Sequence, residues 1–231
     1  MNLFIYIDAI RRMNVHSVTV VLTYMGFSRQ DRVVDFGQPV SSQVIAKILE
    51  TCGVDRTIVI NLHSSQIEGF WRTLVQPLDV IPFMLDENQL GMKTDDLKFV
   101  SPDHGGFKRV QRLAKVFPNA GVIVCDKYRP SPSEVESVTV TGNVDGKDCL
   151  IIDDMIDTGG TICAVAKELK SRGSKHVYAL APHALFACDA PSKLKFAVDK
   201  LYVANTVVDT YDKSNELIKA IDMFPVVVKV L

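Results

Sequence analysis

The 231-residue sequence lacks any apolar run long enough to cross a membrane, and it has no excess of positive charge. A membrane-spanning helix needs about 18 or more consecutive apolar residues, so we expect no transmembrane segment and no membrane partner. The formal net charge is −1, whereas proteins that bind nucleic acid through bulk electrostatics usually carry a basic excess. We therefore expect no nucleic-acid partner, although a local phosphate site is compatible with this charge balance.

The N-terminus also lacks the succession of basic segment, apolar run and cleavage site that makes a signal peptide. The five cysteines include no Cys-X-X-Cys pair, and most of them lie within apolar runs. This placement is typical of buried, reduced thiols and argues against a disulfide framework or a zinc site. We therefore expect a cytoplasmic protein.

What the sequence does contain is a regular alternation of short apolar strands and amphipathic helices. Apolar residues recur at helical spacing over residues 41–51, and the strand-like run 57–62 follows. The same succession returns later, with a strand over 149–153 and a helical pattern that ends near Gly173. Nearly continuous apolar strands separated by helices predict an α/β fold whose parallel sheet is covered on both faces.

A break between two α/β units is expected at residues 76–83, where two prolines interrupt the pattern. This break predicts domains at residues 1–80 and 81–231. The chain opens with a helical pattern over residues 3–13 and closes on an apparent strand over 226–231. An α/β domain rarely ends on an uncovered strand, so we expect that structure is missing at both ends and that the first domain is incomplete.

The strongest motif is LIIDDMIDTGGT at residues 150–161. A buried strand ends in Asp153 and Asp154, at the end of the strand where open α/β sheets bind ligands. These carboxylates can accept hydrogen bonds from two ribose hydroxyls, whereas the glycines allow a tight turn and the next helix N-terminus attracts an anion. An ordinary glycine-rich turn is the alternative, but the whole context predicts a site for a phosphorylated sugar. The residues of the phosphate loop are Asp157, Thr158, Gly159, Gly160 and Thr161.

Two segments of the first predicted domain also follow strands. In YMGFSRQDR at residues 24–32, Arg29 offers a planar cation that can bind phosphate or stack on a base, and Gln30 can hydrogen-bond a base edge. A run of this composition is nevertheless usually a solvated loop. In NLHSSQIEGF at residues 61–70, His63 comes directly after the strand, where a structural histidine is the commoner case.

Two further segments lie in the second predicted domain. SPDHGGFKR at residues 101–109 ends a strand with Asp103, a carboxylate that can hold Mg²⁺ directly or through water. CDKYRPSPSEV at residues 125–135 carries Lys127 and Arg129. Its composition alone predicts a solvated surface hairpin.

In their order along the chain, these segments resemble those of the ribose-phosphate pyrophosphokinase (PRPP synthetase) family. The loop at residues 150–161 is also similar to that of type I phosphoribosyltransferases, whereas the other segments resemble the synthetases alone. The resemblance implies two phosphoribosyltransferase type I-like, Rossmann-like parallel-sheet domains. It also implies the conversion of ATP and ribose 5-phosphate into PRPP and AMP with Mg²⁺. The assembly it implies is a homo-oligomer, either a dimer or a hexamer built from dimers, or a hetero-oligomer with a full-length synthetase.

The resemblance implies roles for individual residues. Those that match ATP-binding positions are Arg29, Gln30, Asp31 and His63. Those that match the ribose-5-phosphate site are Asp153, Asp154, Asp157, Thr158, Gly159, Gly160 and Thr161. Lys127 and Arg129 match the basic pair of a catalytic loop, and His63 and Asp103 match metal-binding positions.

Two departures from the family pattern keep other interpretations open. Asn61 stands where the family usually has Asp, and an amide brings no negative charge to a metal. Pro130, Ser131 and Pro132 replace residues that are usually basic or small. One alternative is therefore a non-catalytic subunit that binds or regulates a full-length synthetase. The other is a type I phosphoribosyltransferase that consumes PRPP, which explains the loop at 150–161 but not the segments of the first domain.

Overall fold

The structure is a computed structural model that describes residues 1–95, 97–128, 137–208, 210–212 and 214–231, with side chains at all of these except 127, 128 and 137. The chain divides into two compact units, Met1–Asp79 and Val80–Leu231. Within these ranges, no helix has both the length and the apolar character needed to cross a membrane.

The first unit is built on a parallel sheet with strand order β1-β2-β3. Its helices and strands are α1 (Asn2–Arg12), β1 (Thr19–Leu22), α2 (Ser41–Thr51), β2 (Arg56–Ile60) and β3 (Leu74–Leu78). The central strand β2 reads RTIVI, and its last four residues are buried because strands lie on both sides of it and apolar side chains cover it. A 3-10 helix, Ser65–Phe70, connects β2 to β3.

Strand β3 was not predicted from the sequence, because Pro77 lies within it. Proline lacks the N–H group that a strand flanked on both sides must donate. In the described sheet, β3 is the last strand in the order and pairs with β2 alone, so the lost donor is tolerated there. The proline that suggested a break is thus part of the sheet, and the first unit ends two residues later, at Asp79.

The second unit contains a larger sheet in which seven described strands follow the order β12-β11-β9-β7-β4-β5-β6. Pairing is parallel throughout, except that β6 runs antiparallel to β5. The strands are β4 (Leu97–Ser101), β5 (Gly121–Tyr128), β6 (Ser137–Thr141), β7 (Asp148–Ile152), β8 (Met155–Ile156), β9 (His176–Ala181), β10 (His183–Ala184), β11 (Lys200–Ala204) and β12 (Ile218–Ile221). The helices are α3 (Ile81–Met84), α4 (Glu87–Leu90), α5 (His104–Val116), α6 (Gly160–Ser171), α7 (Ala190–Leu194) and α8 (Phe224–Val227).

The core of the second unit positions the ends of its central strands. The last four residues of β7 are buried, as are the apolar residues of α6 that recur at helical spacing, Ile162, Val165 and Leu169. The short strands β8 and β10 form a separate parallel pair. Since β9, β7 and β4 are parallel neighbours, the segments that follow them emerge at the same edge of the sheet.

The strand expected over residues 226–231 is wrong. The structure has the short helix Phe224–Val227 there, followed by a 3-10 turn over Val228–Val230. Pro225 lies in the first helical turn, where its fixed φ suits a helix, and the Asp222 carboxylate accepts a hydrogen bond from the Phe224 amide at 3.1 Å. These local contacts outweigh the preference of the valines for extended structure.

Candidate functional site

The two carboxylates of the sugar-phosphate motif, Asp153 and Asp154, directly follow the buried strand β7. The backbone of each residue is hydrogen-bonded to the segment that runs from β9 into β10. The Asp153 amide donates to the Leu180 carbonyl at 3.0 Å, and the His183 amide donates to the Asp154 carbonyl at 3.1 Å. The pair is therefore fixed at the carboxyl edge of the sheet, where the sequence predicts the ribose hydroxyls.

The acidic pair is bridged by an arginine that the sequence analysis did not single out. Arg109 lies on α5, and its Nη1 contacts Asp153 Oδ1 at 3.2 Å while its Nη2 contacts Asp154 Oδ1 at 3.1 Å. The side chains are well buried, with exposed fractions of 14% for Arg109, 22% for Asp153 and 5% for Asp154. Arg109 closes the segment SPDHGGFKR, but nothing in that segment indicates a partner more than 40 residues away.

Burial of the pair raises the pKa of the Asp153 carboxyl well above its ordinary value, and the neighbouring charge and hydrogen bond of Asp154 add to this. Arg109 opposes the increase because its positive charge favours the ionised form. The Asp154 amide also donates to Asp153 Oδ1 at 2.8 Å and stabilises the carboxylate. The charge state of the pair thus depends on a balance between burial and these three contacts.

The phosphate loop turns at Gly159, which has a φ of +75° and precedes the first residue of α6. A Cβ atom at this position would lie 3.1 Å from both Cγ and Cδ1 of Leu194, so glycine suits the positive φ and avoids crowding Leu194. Thr158 and Gly160 are exposed, while Asp157 and Thr161 are half-buried. The loop therefore presents hydroxyl and backbone groups at the start of a helix, which is suited to an anion.

The predicted metal residue Asp103 has a structural role in this unit. Its Oδ1 accepts a hydrogen bond from the Gly106 amide at 2.8 Å and so caps α5, and Ser101 Oγ donates to its carbonyl at 2.7 Å. His63, the other predicted metal residue, belongs to the first unit. In the parts of the chain that the structure describes, no group of three or more His, Cys, Asp or Glu side chains is arranged to hold a metal.

The predicted catalytic segment begins on β5. Lys127 lies near the end of this strand, opposite Val138 of β6, so a β-hairpin is present as its composition predicted. Because Val124 pairs with Ser101 at the end of β4, Lys127 lies three residues farther along, roughly 10 Å past the end of β4. The imidazole Nε2 of His104 lies 3.4 Å from Asp126 Oδ1 at the base of this hairpin. Arg129 and Pro130–Pro132 lie outside the described residues.

In the first unit, the loops that follow β1 and β2 are joined at Asp31. The Ser64 hydroxyl donates to Asp31 Oδ2 at 2.5 Å, and Gln66 Nε2 donates to the Asp31 carbonyl at 3.2 Å. Arg29 is exposed and His63 is half-buried in these same two loops. The two segments predicted to bind ATP are therefore neighbours in space, joined by the contacts of Asp31 with Ser64 and Gln66.

Gln30 is engaged with its own loop. Its side-chain Nε2 donates to the carbonyls of Arg32 (3.3 Å) and Pro39 (3.1 Å), and its backbone carbonyl accepts from the amide and the hydroxyl of Ser42 at the start of α2. These contacts tie the loop to α2. The predicted contact of Gln30 with a base remains a prediction, in which its amide nitrogen would have to exchange partners.

Asn61 has a structural reason to be an amide. Its φ is +39°, a conformation that asparagine tolerates better than most residues, and its Nδ2 donates to Asp79 Oδ1 at 2.8 Å. An aspartate at this position would place two carboxylates against each other. The departure at Asn61 is therefore matched to Asp79 within the same unit.

The parallel sheet, with an acidic pair and a glycine loop after β7, defines an α/β protein of the phosphoribosyltransferase type I-like class. Residues 1–53 match the N-terminal domain of ribose phosphate pyrophosphokinase, and residues 124–230 match the phosphoribosyl synthetase-associated domain. The crystal structure of phosphoribosylpyrophosphate synthetase from Mycobacterium smegmatis matches with a TM-score of 0.89 and 30% identity, over 98% of this chain and 74% of that one. The chain belongs to the ribose-phosphate pyrophosphokinase (PRPP synthetase) family.

Curated relatives agree with this assignment. The ribose-phosphate pyrophosphokinase of Vibrio parahaemolyticus is 40% identical over 209 residues, and that of Buchnera aphidicola is 38% identical over 211 residues. Each alignment covers 90% of this chain and 66% of the relative. The chain therefore spans slightly less than two thirds of the length of these relatives.

Proposed function

We propose that this chain is a ribose-phosphate diphosphokinase, which transfers the pyrophosphoryl group of ATP to ribose 5-phosphate and gives PRPP and AMP. The observation that carries the proposal is the buried acidic pair, Asp153 and Asp154, directly before a glycine loop that opens α6. This arrangement offers acceptors for a diol and donors for a phosphate within one short segment. The names of the relatives supply the reaction type.

The ribose 5-phosphate would bind entirely within the second unit. Each ionised carboxylate of the pair accepts a hydrogen bond from a sugar hydroxyl, and hydrogen bonds to charged groups contribute roughly 1.5–3 kcal/mol each. The 5-phosphate would lie against Thr158, Thr161 and the first amides of α6, where the helix dipole favours a negative charge. Asp157 would complete this loop.

ATP would engage the loops of the first unit that meet at Asp31. Arg29 is exposed and can bind a phosphate or stack on the base, and His63 follows the central strand β2. Gln30 holds the loop to α2 and would contact the base through its amide group. Lys127 and Arg129 would act on the pyrophosphoryl group during its transfer.

Mg²⁺ would be held by the phosphates of ATP and by Asp103 of the second unit, and the contact of His63 with the ion stays a prediction. This ion usually binds through one or two carboxylates together with phosphate oxygens and water, so a site without three protein ligands fits its chemistry. The cap on α5 engages Oδ1 of Asp103 with an amide, and binding would use the carboxylate from its other side. When bound, the ion neutralises charge on the phosphates.

In the proposed reaction, the anomeric hydroxyl of the sugar attacks the β-phosphorus of ATP, and its proton is released to water. The bond between the α,β-bridging oxygen and the β-phosphorus breaks, and AMP leaves with that oxygen. Catalysis of this kind consists mainly of positioning and of stabilising negative charge on the transferred group. Lys127 and Arg129 would provide positive charge for that step.

A second candidate function is a non-catalytic subunit that binds a full-length synthetase in a hetero-oligomer. The identity of Asn61 favours it, because this chain has an amide where a metal-binding carboxylate is usual in the family. As an active enzyme, the chain would form a homo-oligomer, either a dimer or a hexamer built from dimers.

The test is a PRPP-formation assay on the purified chain with ATP, Mg²⁺ and ribose 5-phosphate. We expect AMP and PRPP in equal amounts, and no activity when ribose 5-phosphate is replaced by 2-deoxyribose 5-phosphate. Activity that appears only after a full-length synthetase is added would favour the non-catalytic subunit. Consumption of PRPP that depends on a nucleobase would instead identify a phosphoribosyltransferase.

A further inference from the structure

Arg109 contacts both members of the acidic pair, with one guanidinium nitrogen on each carboxylate. The residue lies on α5, whose buried side chains Val110 and Leu113 pack into the unit, so its Cα is anchored by the core. Residues 44 and 45 positions away along the chain are thus joined by one side chain. Besides joining two distant segments of the chain, this contact places a positive charge beside two negative charges.

Two adjacent buried carboxylates resist carrying two negative charges. The pair would ordinarily share a proton, as closely placed acids do, and a protonated carboxyl then offers fewer acceptors. A sugar diol, however, brings two hydroxyl donors and is bound best when both acids are ionised. A positive charge at the pair reduces this conflict, and Arg109 lies there with only 14% of its side chain exposed.

The shape of the arginine matters as much as its charge. The guanidinium is planar and presents nitrogens in fixed directions, so two contacts set the spacing and the orientation of the two carboxylates. A lysine ammonium is a single point charge and would not hold both oxygens in this way. The hydrogen bond from the Asp154 amide to Asp153 Oδ1 fixes the same oxygen that receives Arg109 Nη1.

The other ionisable groups near the pair are engaged elsewhere or lie farther along the loop. His183 on β10 is buried, and its Nδ1 lies 2.9 Å from Thr206 Oγ1, which in turn donates to the Pro182 carbonyl. Asp157 follows three residues after Asp154 in the half-buried loop. The charges that act on Asp153 are those of Asp154 and Arg109.

We propose that Arg109 is a positioning residue, which favours the ionised forms of Asp153 and Asp154 and sets their spacing to accept two neighbouring hydroxyls of a ribose phosphate. For the identity of the ligand this inference rests on the proposed function. For the charge state of the pair it rests on the contacts of Arg109 with both carboxylates, and the two parts are tested separately.

The first experiment compares Arg109→Met, Arg109→Lys and the control Arg112→Met, which removes an exposed arginine from the same helix. In Arg109→Met we expect ribose 5-phosphate to bind about tenfold more weakly or worse at pH 7, because the pair then retains a proton. The KM for ATP should change much less. Arg109→Lys should be intermediate, and Arg112→Met should match the parent chain. An Arg109→Met variant with unchanged ribose 5-phosphate affinity would overturn the proposal.

The dependence on pH separates positioning from a merely structural role. Loss of the positive charge raises the pKa of the pair further, so binding of ribose 5-phosphate should fail at a higher pH in Arg109→Met than in the parent chain. Raising the pH should recover part of the affinity. Arg109→Lys keeps the positive charge, so the pH below which it loses ribose 5-phosphate should stay close to that of the parent chain. An equal loss of affinity at every pH would contradict the proposed control of ionisation.

The second experiment needs neither ligand nor activity. The side-chain carboxyl ¹³C signals of Asp153 and Asp154 are followed by NMR against pH in the parent, in Arg109→Lys and in Arg109→Met. We expect the titration to move to higher pH in Arg109→Met, and a titration that does not move would overturn the proposal. If the titration moves but the parent chain fails to bind ribose 5-phosphate, the proposed function fails while the inference on charge stands.

If Arg109→Met does not fold, the double variant Arg109→Met with Asp154→Asn removes one charge of each sign. We then expect Asp153 in that variant to titrate at higher pH than in Asp154→Asn alone.

Discussion

The two candidate binding regions of this chain are built in different ways. In the second unit, the predicted groups Asp153 and Asp154 are buried and held by an arginine from another helix. In the first unit, the half-buried Asp31 is held by a hydroxyl and an amide from the next loop, while Gln30 is tied to the backbone of its own loop. The geometry of a buried charged cluster depends on the partners that compensate its charges, whereas partly exposed loop residues exchange partners with water at little cost. The comparison predicts that substitutions in the second unit have the larger effects.

The largest effect is expected from the double substitution Asp153→Ala and Asp154→Ala. Two charge-assisted acceptors are lost, and at roughly 1.5–3 kcal/mol each the affinity for ribose 5-phosphate should fall by about 10²- to 10⁴-fold. Calorimetry on the purified variants measures this loss. Asp145→Ala removes an exposed carboxylate of the same unit and should leave the affinity unchanged. Unchanged binding in the double variant would show that the buried pair is not the sugar site.

The hairpin tests whether the second unit also supplies the catalytic charge. Lys127→Ala should lower kcat by roughly a hundredfold while the affinity for ATP changes little, because charge that develops in the transition state is what the lysine is proposed to stabilise. Steady-state kinetics and direct ATP binding give the two numbers. Lys147→Ala, an exposed lysine of the same unit, is the matched control. A collapse of ATP affinity at unchanged kcat would instead make Lys127 a binding residue.

Glycine substitutions sharpen the comparison within the second unit. Gly159→Ala should destabilise the chain by roughly 1–3 kcal/mol, because it combines a positive φ with a Cβ that crowds Leu194. Gly146 also has a positive φ, of +64°, but a Cβ there meets nothing within 4 Å. Gly146→Ala should therefore report the conformational cost alone. Equal losses in the free energy of unfolding, measured with denaturant, would mean that the contact with Leu194 relaxes without cost.

The smallest effect is expected in the first unit, from Asn61→Asp. The new carboxylate would face Asp79, and at neutral pH the free energy of unfolding should fall by about 0.5–1 kcal/mol. Repulsion raises the pKa of the new carboxyl in the folded state. The loss of unfolding free energy should therefore be complete above this folded-state pKa and should disappear as the pH falls below the pKa of the carboxyl in the unfolded chain. Unfolding curves at pH 3.5 and pH 7 test this sign. Adding Asp79→Asn should restore stability at pH 7, and a penalty that persists in the double variant would contradict the account.

The local pattern of the sequence predicted much of this protein. The alternation of apolar strands and amphipathic helices, visible over residues 41–62 and 149–173, predicted the parallel α/β fold, which the structure confirms. The motif at 150–161 predicted a strand, an acidic pair, a glycine turn and a helix in the right order. Such features follow from side chains close in sequence, because burial period and turn conformation are local properties.

Only the tertiary structure decided where the remaining contacts fall. Arg109 meets Asp153 and Asp154 because α5 packs against β4, the neighbour of β7 in the sheet, and this neighbourhood is set by strand order and not by any local pattern. In the same way, Pro77 is compatible with a strand because β3 has a single partner, and the valines near the C-terminus adopt a helix after Pro225. A hydrogen bond between Asn61 and Asp79 explains why an amide stands where the sequence pattern led us to expect a carboxylate. Sequence periodicity records which residues are buried, but the partner of a buried charge depends on which elements lie side by side.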